Sequence, residues 1–477
     1  MRQGAQRNFA SVDRPLRRAM LTNVRLRRLA LTSSKGLLDP PGRWLLLLMV
    51  VCGAQTTNAV TLENAMQATL DKNPAIQEAK SNLELAAGQR LILRSIMWPG
   101  ARLGLPGGLQ GGKRAGESTK LFGFARGAFG QPLFNAAIPA SLRRGDVDLL
   151  IARQQLNVAV VEQLHAARLA FYTALYNRSL QAVRADQRQR LEENVVSQND
   201  RYSAGLIDRS ALAGATVQAR ELDPQIEVAR RAYAEAQLIL ARAMGVDLGP
   251  DARLPEPEGE LQFKPMAVDL NSETTAALER RADLKLARLM VRAANEDQRI
   301  IEAGYYPLLA ANVSGHYIPV TGIHSEGSTR RTDDFISSEI RGGPGYTWRV
   351  IDNGKVTGAV RKQRATREIN EIALKKLEMN VSRELMRVHN NLESIEARQK
   401  SLASATAAAD ESTRIVQENM ADGLTSQLEY RLTQSGYLGT RSGLLGAAFQ
   451  YNVALAEWDL ATGRYFQFSE DTAQNVH

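Results

Sequence analysis

The chain has 477 residues, 44% of them hydrophobic and 23% charged, with a formal net charge of +9. This charge first suggests nucleic acid or an anionic surface as a partner, but ten basic and two acidic side chains lie within residues 1–43, a net charge of +8. The rest of the chain carries only +1, which excludes a nucleic-acid binder once that basic arm is set aside.

Residues 1–59 are predicted to be a secretory signal peptide with a basic N-terminal extension. The basic arm precedes a short apolar run, WLLLLMVV at 44–51, and a stretch of polar and small residues that ends at Ala59. About 8 apolar residues are too few to span a bilayer, and the small residues predict cleavage after Ala59. Two alternatives stay open: translation from Met20, and a twin-arginine signal at Arg27-Arg28.

Cysteine and histidine usage predicts neither a disulfide framework nor a metal or cofactor site. The only cysteine, Cys52, falls in the signal segment. We interpret it as a passenger there; a lipoprotein acceptor thiol is the alternative, which the bulky Val51 disfavours. The histidines show no metal-ligand spacing. They are His165, His316, His324, His389 and His477.

Behind the signal, a helix is predicted to open at the capping residue Thr61 and to run to Pro99. After this proline the apolar residues alternate with a period of two, which predicts strands within about 99–134. A long helix follows, with apolar residues three and four apart, a pattern typical of coiled coils. That stripe consists of Leu156, Val160, Leu164, Ala167, Phe171 and Leu175.

The motif RYSAGLIDRSAL places Gly205 inside this helical pattern, where glycine costs about 0.5–1 kcal/mol relative to alanine. We therefore predict a tight turn, in which a left-handed glycine ends one helix and Asp208 or Ser210 caps an antiparallel return helix. A proline-rich linker at 251–267 follows the return helix, and its prolines disfavour regular structure.

The same order then recurs. A helix is predicted from Asn271 or Ser272 to Pro307, and strands follow within about 307–351. A second stripe, again with spacings of three and four, consists of Leu374, Leu377, Val381, Leu385, Val388, Leu392 and Ile395. The motif ENMADGLTSQLEY supplies the second turn glycine, Gly423, with Thr425 or Ser426 as the cap.

These two passages are copies of one unit. Gly205 and Gly245 are 40 residues apart, and Gly423 and Gly463 are also 40 apart. A mere helix kink would not predict the same return length twice. The expected divisions of the chain are a signal at 1–59, a first repeat at 60–250, the linker at 251–267, a second repeat at 268–466 and a tail at 467–477.

Alternating strands of about 9–11 residues with aromatic residues near their ends are typical of an outer-membrane barrel. The processed chain has no apolar run long enough for a membrane helix. Four strands are too few for a barrel, since the smallest use about 8, so we predict that several chains share one pore. A trimer would supply twelve strands. A pair of hairpins in a soluble domain is the alternative.

On these residues the chain resembles the TolC-type outer-membrane factor family over about 60–466. The resemblance rests on the opening TLENAMQATLDKNPAI, the duplicated order, the prolines ahead of the hairpins and the two turn motifs. It implies a mainly α fold with a small β part: a homotrimer with a twelve-stranded barrel in the cell outer membrane and a tapering helical tunnel across the periplasm. The linker would contribute to an irregular belt partway along the tunnel.

The resemblance also implies roles for residues at the helix turns, which form the periplasmic entrance and meet an adaptor protein in that family. The docking residues would be Arg201, Tyr202, Gly205, Leu206, Asn419, Gly423, Leu424 and Thr425. Some relatives carry two acidic residues after the second glycine that ring a constriction. Glu429 matches the first, but Leu432 occupies the second, so a strong cation preference is in doubt; Glu429 as an ordinary solvated helix residue is the alternative.

The implied function is a passive conduit, the outer-membrane channel of an efflux pump or a type I secretion system. Its partners would be further copies of the chain, a periplasmic adaptor, an inner-membrane transporter and outer-membrane lipid. No nucleophile–base arrangement or phosphate-binding glycine loop predicts an enzyme. The competing hypothesis is a periplasmic coiled-coil adaptor or structural protein that forms no pore.

Overall fold

The computed structural model describes residues 59–110, 120–249, 253–317 and 338–465. Residues 1–58 of the predicted signal segment, which include Cys52, and the C-terminal tail lie outside these residues. The first repeat contains β1 (Ala59–Val60), α1 (Leu62–Lys72), α2 (Pro74–Ser95), β2 (Gly100–Gly104), β3 (Gly107–Gln110), β4 (Lys120–Gly123), β5 (Ala125–Phe134), α3 (Ile138–Ser203), α4 (Arg209–Arg220) and α5 (Asp223–Ala243). The linker and the second repeat contain β6 (Glu256–Pro257), α6 (Leu270–Arg280), α7 (Ala282–Glu302), β7 (Leu308–Tyr317), β8 (Ser338–Thr347), α8 (Lys355–Ala421) and α9 (Gln427–Ala461).

The opening helix of each copy is two helices, where the sequence predicted one. Asn73 separates α1 from α2 with extended backbone (φ −63°, ψ 126°), and Arg281 separates α6 from α7 in the same way (φ −56°, ψ 127°). Asn73 precedes Pro74, whose ring disfavours helical backbone in the residue before it. The side chain of Asn73 accepts a hydrogen bond from the Ala75 N–H at 2.9 Å and thereby caps α2.

The predicted helix caps are correct in the first copy and wrong in the second. Thr61 accepts a hydrogen bond from the Asn64 N–H at 3.3 Å, as expected for the cap of α1. In the second copy Asp269 takes this role by accepting from the Asn271 N–H at 3.2 Å, and Asn271 itself lies inside the helix. A carboxylate is as good a cap as an amide or a hydroxyl, and it also favours the positive end of the helix dipole.

Each long helix pairs with a return helix. α3, of 66 residues, packs on α4 and α5, and α8, of 67 residues, packs on α9; α3 also contacts α9 and so joins the hairpins. The predicted stripes are buried on these long helices: Leu164 is fully buried in a cluster with Ile76 of α2, and Leu385 is fully buried in a cluster with Trp458 of α9. Apolar burial on the long helices is therefore shared between the return helices and the opening helices.

The far ends of the return helices pack against the breaks in the opening helices. Gly245, which follows α5, has φ +66°, and a Cβ there would lie 2.5 Å from the Lys72 carbonyl oxygen. Gly463, which follows α9, has φ +73°, and a Cβ there would lie 3.1 Å from the Arg281 nitrogen. The duplication is thus visible in the packing: the same turn meets the same helix break in both copies.

The linker lies against the C-terminal halves of α5 and α9, which supply donors for its carbonyl groups. The Tyr451 hydroxyl donates to the Lys264 carbonyl at 2.6 Å, and Asn452 Nδ2 donates to the Gln262 carbonyl at 2.9 Å. The only regular pairing in the described part of the linker is the two-residue strand β6, parallel to β1.

Four antiparallel strands form one sheet in the order β2-β5-β7-β8. The helices that continue these strands pack in the same order, α2-α3-α7-α8. β8 ends at Thr347, a few residues before the predicted limit, and the chain then turns at Asn353 and Gly354, whose φ values are +53° and +78°. No helix in the described ranges is both long and apolar enough to cross a membrane.

Candidate functional site

The two hairpin turns have the same backbone geometry. At the first, the Gly205 N–H donates to the Tyr202 carbonyl and the Leu206 N–H to the Arg201 carbonyl, both at 2.9 Å. The second turn repeats both bonds around Gly423, at 3.2 and 2.8 Å. The glycines have φ of +77° and +75°, so each occupies the left-handed position of a Schellman motif.

The return helices begin at side-chain caps three residues beyond each glycine. Asp208 accepts from the Ala211 N–H at 2.9 Å, and Ser426 accepts from the Glu429 N–H at 3.3 Å. Of the alternatives at the second turn, Ser426 is therefore the cap and Thr425 is not. These bonds define both turns, whose glycines are exposed.

The turn residues predicted for docking present an apolar surface. Leu206 and Leu424 are 70% and 76% exposed, and Tyr202 is 42% exposed. Arg201 points to the other hairpin, where its Nη1 donates to the Met420 carbonyl at 2.9 Å. The structure therefore brings both turns to the same end of the chain and joins them by one side chain.

The remaining predicted residues lie beside this surface. Asn419 and Thr425 are half-buried, whereas Glu429 is exposed in the first turn of α9. An acidic side chain there stabilises the positive end of the helix dipole. Leu432, which stands where some relatives carry a second acid, is 64% exposed.

A row of hydrogen-bonded, buried polar side chains joins the hairpins, and the sequence did not predict it. Gln187 Nε2 donates to Gln434 Oε1 at 2.8 Å, and Gln434 Nε2 donates to the Tyr430 hydroxyl at 3.1 Å. Both glutamines are almost fully buried, and burial raises the pKa of Tyr430. The signal for this contact is weak, because a glutamine in a helix is ordinarily solvated.

A cavity of about 350 Å³ lies near this row of polar side chains and the turns. Its lining includes Arg190, Glu193, Asn194, Arg201, Met420 and Tyr430. Asn194 Nδ2 is buried without a hydrogen-bond partner in the described structure. The packing between the hairpins therefore leaves space and an unpaired buried amide near the turns, and an amide in that state is costly.

At the other end of the molecule the sheet has one apolar and one polar face. Register places Ala101, Phe129, Val313 and Gly342 in one row, and Leu103, Gly127, Gly315 and Ile340 in the next row of that face. The opposite face carries Arg102, Arg126, Asn312, Ser314, His316, Glu339 and Arg341. This alternation is the one required of strands with lipid on one side and water on the other.

Exposed aromatic side chains cluster where the strands meet the helices. Members of this group are Trp98, Phe134, Tyr305, Tyr306, Tyr346 and Trp348, each between 46% and 64% exposed. Trp348 Nε1 donates to the Tyr305 carbonyl at 3.2 Å, which fixes one of them. Aromatic rings with a polar tip favour the boundary between lipid and water, so this cluster marks one margin of the lipid-facing band.

Both edges of the sheet and of its helical continuation are open. β2 and β8 have no outer strand neighbour among the described residues. On α2, Leu85 and Ile92 are 70% and 64% exposed. α8 exposes Ile369, Ile372, Met379 and Met386, at 55–67%. Open apolar edges of this extent mark surfaces that a partner covers.

This arrangement defines the class of protein. Its strands and the helices that continue them form one segment of a larger tube, and the hairpin turns lie at one end of that segment. The sequence of residues 274–464 matches the family model described as outer membrane efflux protein. The chain's fold is similar to the Campylobacter jejuni CmeC outer membrane channel, with a TM-score of 0.73, 14% identity and coverage of 87% of this chain and 88% of that chain.

Two further solved structures are similar. The Vibrio cholerae outer membrane protein VceC aligns with a TM-score of 0.69 and 16% identity, over 84% of this chain and 96% of that one. The Neisseria gonorrhoeae MtrE outer membrane channel in its open state aligns with a TM-score of 0.68 and 16% identity, over 84% and 88%. A comparison with curated protein sequences found no match.

The resemblance to TolC-type outer-membrane factors is therefore confirmed, by the family match in sequence and by the neighbours in fold. The mainly α fold with a small β part is confirmed as well. The description of the matched family also agrees with the outer-membrane location expected from the sequence.

Proposed function

We propose that the chain is the outer-membrane channel of a tripartite efflux pump or a type I secretion system. It acts as a passive homotrimeric conduit across the periplasm and the outer membrane. A periplasmic adaptor opens it at the hairpin turns, and an inner-membrane transporter supplies the energy. The observation that carries this proposal is that the four strands and the four helices that continue them pack in the same order, and that both edges of this layer are open.

The open edges favour further copies of the same chain as partner. A strand in lipid must pair on both sides, because an unpaired backbone group costs several kcal/mol there. One chain supplies four strands to the main sheet, fewer than the roughly 8 of the smallest barrels, and three chains supply twelve. Each β8 would then pair with the β2 of the next copy, and each α8 with its α2.

Opening at the turns is supported by the kind of contacts that hold the hairpins together there. Arg201 of α3 donates to the backbone carbonyl of Met420 in α8, and the Gln187–Gln434 contact joins α3 to α9 further from the turns. These contacts stabilise one packing of the hairpins, and breaking the buried glutamine pair costs free energy unless both side chains find new partners. An adaptor that binds Leu206 and Leu424 would bias the hairpins between two packings.

Assembly is tested by extracting the membrane-inserted protein in detergent and measuring its mass and its conductance in planar bilayers. We expect a particle of three processed chains and open-channel conductance. A water-soluble monomer that never enters lipid would refute the conduit.

Docking is tested with the double variant Leu206→Glu/Leu424→Glu. We expect normal trimers and loss of export, because both side chains are exposed in the free chain and charge opposes burial in an apolar contact. Val228→Glu is the matched control, since Val228 is 64% exposed and lies about 30 Å further along the return helix. Unchanged export in the double variant would refute docking at the turns.

A further inference from the structure

The polar face of the sheet concentrates its positive charge in two adjacent rows. Arg102 and Arg341 share one row, with Ala128 and Ser314 between them. Arg126 lies in the next row, with Gly104, His316 and Glu339. We call Arg102, Arg126 and Arg341 the arginine band. It lies in the half of the sheet away from the helices.

The charge of the band is only partly neutralised within the described structure. Arg341 pairs with Glu339, whereas Arg102 and Arg126 make no ion pair with any described residue. Three arginines and one glutamate leave a net charge of +2 per chain in these rows. The rows nearer the helices carry no charged side chain on this face, only residues such as Asn312 and Ala310.

The glycine at position 104 gives Arg126 room to lie across the strands. A Cβ at Gly104 would lie 3.3 Å from Arg126 Nε, so any larger residue there would crowd the guanidinium. All three arginines are exposed in the single chain. Their guanidinium groups are therefore available to solutes.

The direction of the band follows from the opposite face. Leu103, Phe129, Val313 and Ile340 occupy alternate positions on the same strands, and they form the apolar surface that suits lipid. The arginines must then face the interior of a closed barrel. Lipid phosphate groups lie on the other side of the wall and are not their ligands.

We propose that the arginine band binds and concentrates anions inside the outer end of the barrel, so that the pore prefers anionic solutes. This inference rests on the proposed function, since it needs a closed trimer. Three copies would place nine arginines and three glutamates around the lumen, a net charge of +6. A ring of fixed charge beside low-dielectric walls raises the local concentration of counter-ions and lowers that of like-charged ions.

The test is the reversal potential of purified trimers in planar bilayers under a potassium chloride gradient. At about 0.1 M salt we expect chloride to permeate better than potassium. The preference should weaken towards a ratio of about 1 near 1 M salt, where the Debye length falls from about 10 Å to about 3 Å. A preference for potassium in the wild-type pore would overturn the proposal.

Variants assign the effect to the band. Arg102→Gln/Arg126→Gln/Arg341→Gln should lose the chloride preference, and the corresponding triple lysine variant should keep it. The matched control removes the same charge from the periplasmic helices with Arg220→Gln/Arg230→Gln/Arg231→Gln, at sites 70–80% exposed, and should keep the wild-type ratio. An equal loss in this control, or no loss in the first variant, would contradict the proposal.

The outcomes also separate this inference from the function on which it rests. Conductance without chloride preference leaves the conduit standing and refutes the band. Absence of conductance from inserted trimers refutes the conduit, and with it the lumen in which the band would act.

Discussion

The two repeats share their turns but differ in their return helices. In the second copy α9 runs unbroken for 35 residues, whereas the first copy divides the same length between α4 and α5 at Leu222. The break has its own support: Leu222 is buried beside Leu191, and Arg188 pairs with Asp223 at 2.5 Å. The comparison teaches that turn geometry and end contacts recur in both copies, while helix continuity does not. Only the second copy lies within the family match.

The largest expected effect tests whether the recurring end contacts are equivalent. Gly245→Val places a β-branched residue in left-handed backbone and brings it into contact with the backbone of Lys72. We expect the free energy of unfolding to fall by about 4 kcal/mol or more. Gly463→Val should cost less, because its nearest atom is 3.1 Å away rather than 2.5 Å. The readout is the temperature at which trimers dissociate in detergent.

The control for this series is Gly205→Val, which has the same left-handed backbone but no atom within 4 Å of the added Cβ. Its free energy of unfolding should fall by only about 1–2 kcal/mol, which is the cost of left-handed backbone for a residue with a side chain. If all three variants were equally unstable, close packing at the far ends would not explain the glycines.

The apolar stripes of the two long helices, α3 and α8, offer a second comparison. Leu164 in the first copy and Leu385 in the second are both fully buried. Either leucine replaced by alanine should cost about 3 kcal/mol, from lost burial and the cavity left behind. Urea midpoints of the two variants should shift by similar amounts. A shift in only one of them would show that the two copies do not contribute equally to the stability of the chain.

A smaller effect distinguishes the copies by pH. His165 in the first copy is half-buried beside Arg168, and burial together with that positive charge lowers its pKa from the ordinary 6.5. Its neutral form is therefore the one that the fold accepts. Its contribution to stability should be complete above about pH 6.5 and decrease as the pH falls through the lowered value.

We expect His165→Gln to flatten the acid side of the stability curve, measured as the dissociation temperature between pH 7 and pH 5. His389, in the second copy, lies beside Glu393 at 3.5 Å, and His389→Gln is the matched control. If the curve kept its slope without His165, another group would be responsible for the acid sensitivity.

The turns and strands could be predicted from sequence because their signals are local. Gly205 and Gly423 require left-handed backbone, and Asp208 and Ser426 stand where a cap must be. The break at Asn73 was not predicted, although the sequence carries a local signal for it, since a residue before proline favours a helix boundary. The break at Arg281 was not predicted either, because its contacts with Glu384 at 2.6 Å and the Ala461 carbonyl at 3.2 Å come from distant parts of the chain.

The same distinction explains what the sequence missed at the candidate site. Exposure of Leu206 and Leu424 follows from their place in a turn. The bond from Arg201 to the Met420 carbonyl and the pairing of Gln187 with Gln434 depend on how two hairpins pack. Sequence periodicity assigns a face to each helix but not the partner of a polar side chain on it.

The smallest expected effect concerns the break that separates the return helices. Pro224 stands in the first turn of α5, where a missing N–H costs nothing, so the proline is compatible with the break but need not cause it. Leu222 and the Arg188–Asp223 pair hold the same geometry by other means. Pro224→Ala should therefore change the free energy of unfolding by less than about 0.5 kcal/mol.

Leu222→Ala is the contrasting variant and should be clearly destabilising, because it removes a buried side chain. A strongly altered dissociation temperature in Pro224→Ala alone would mean that the proline itself divides the helix, and that the first copy differs from the second by one residue rather than by its packing.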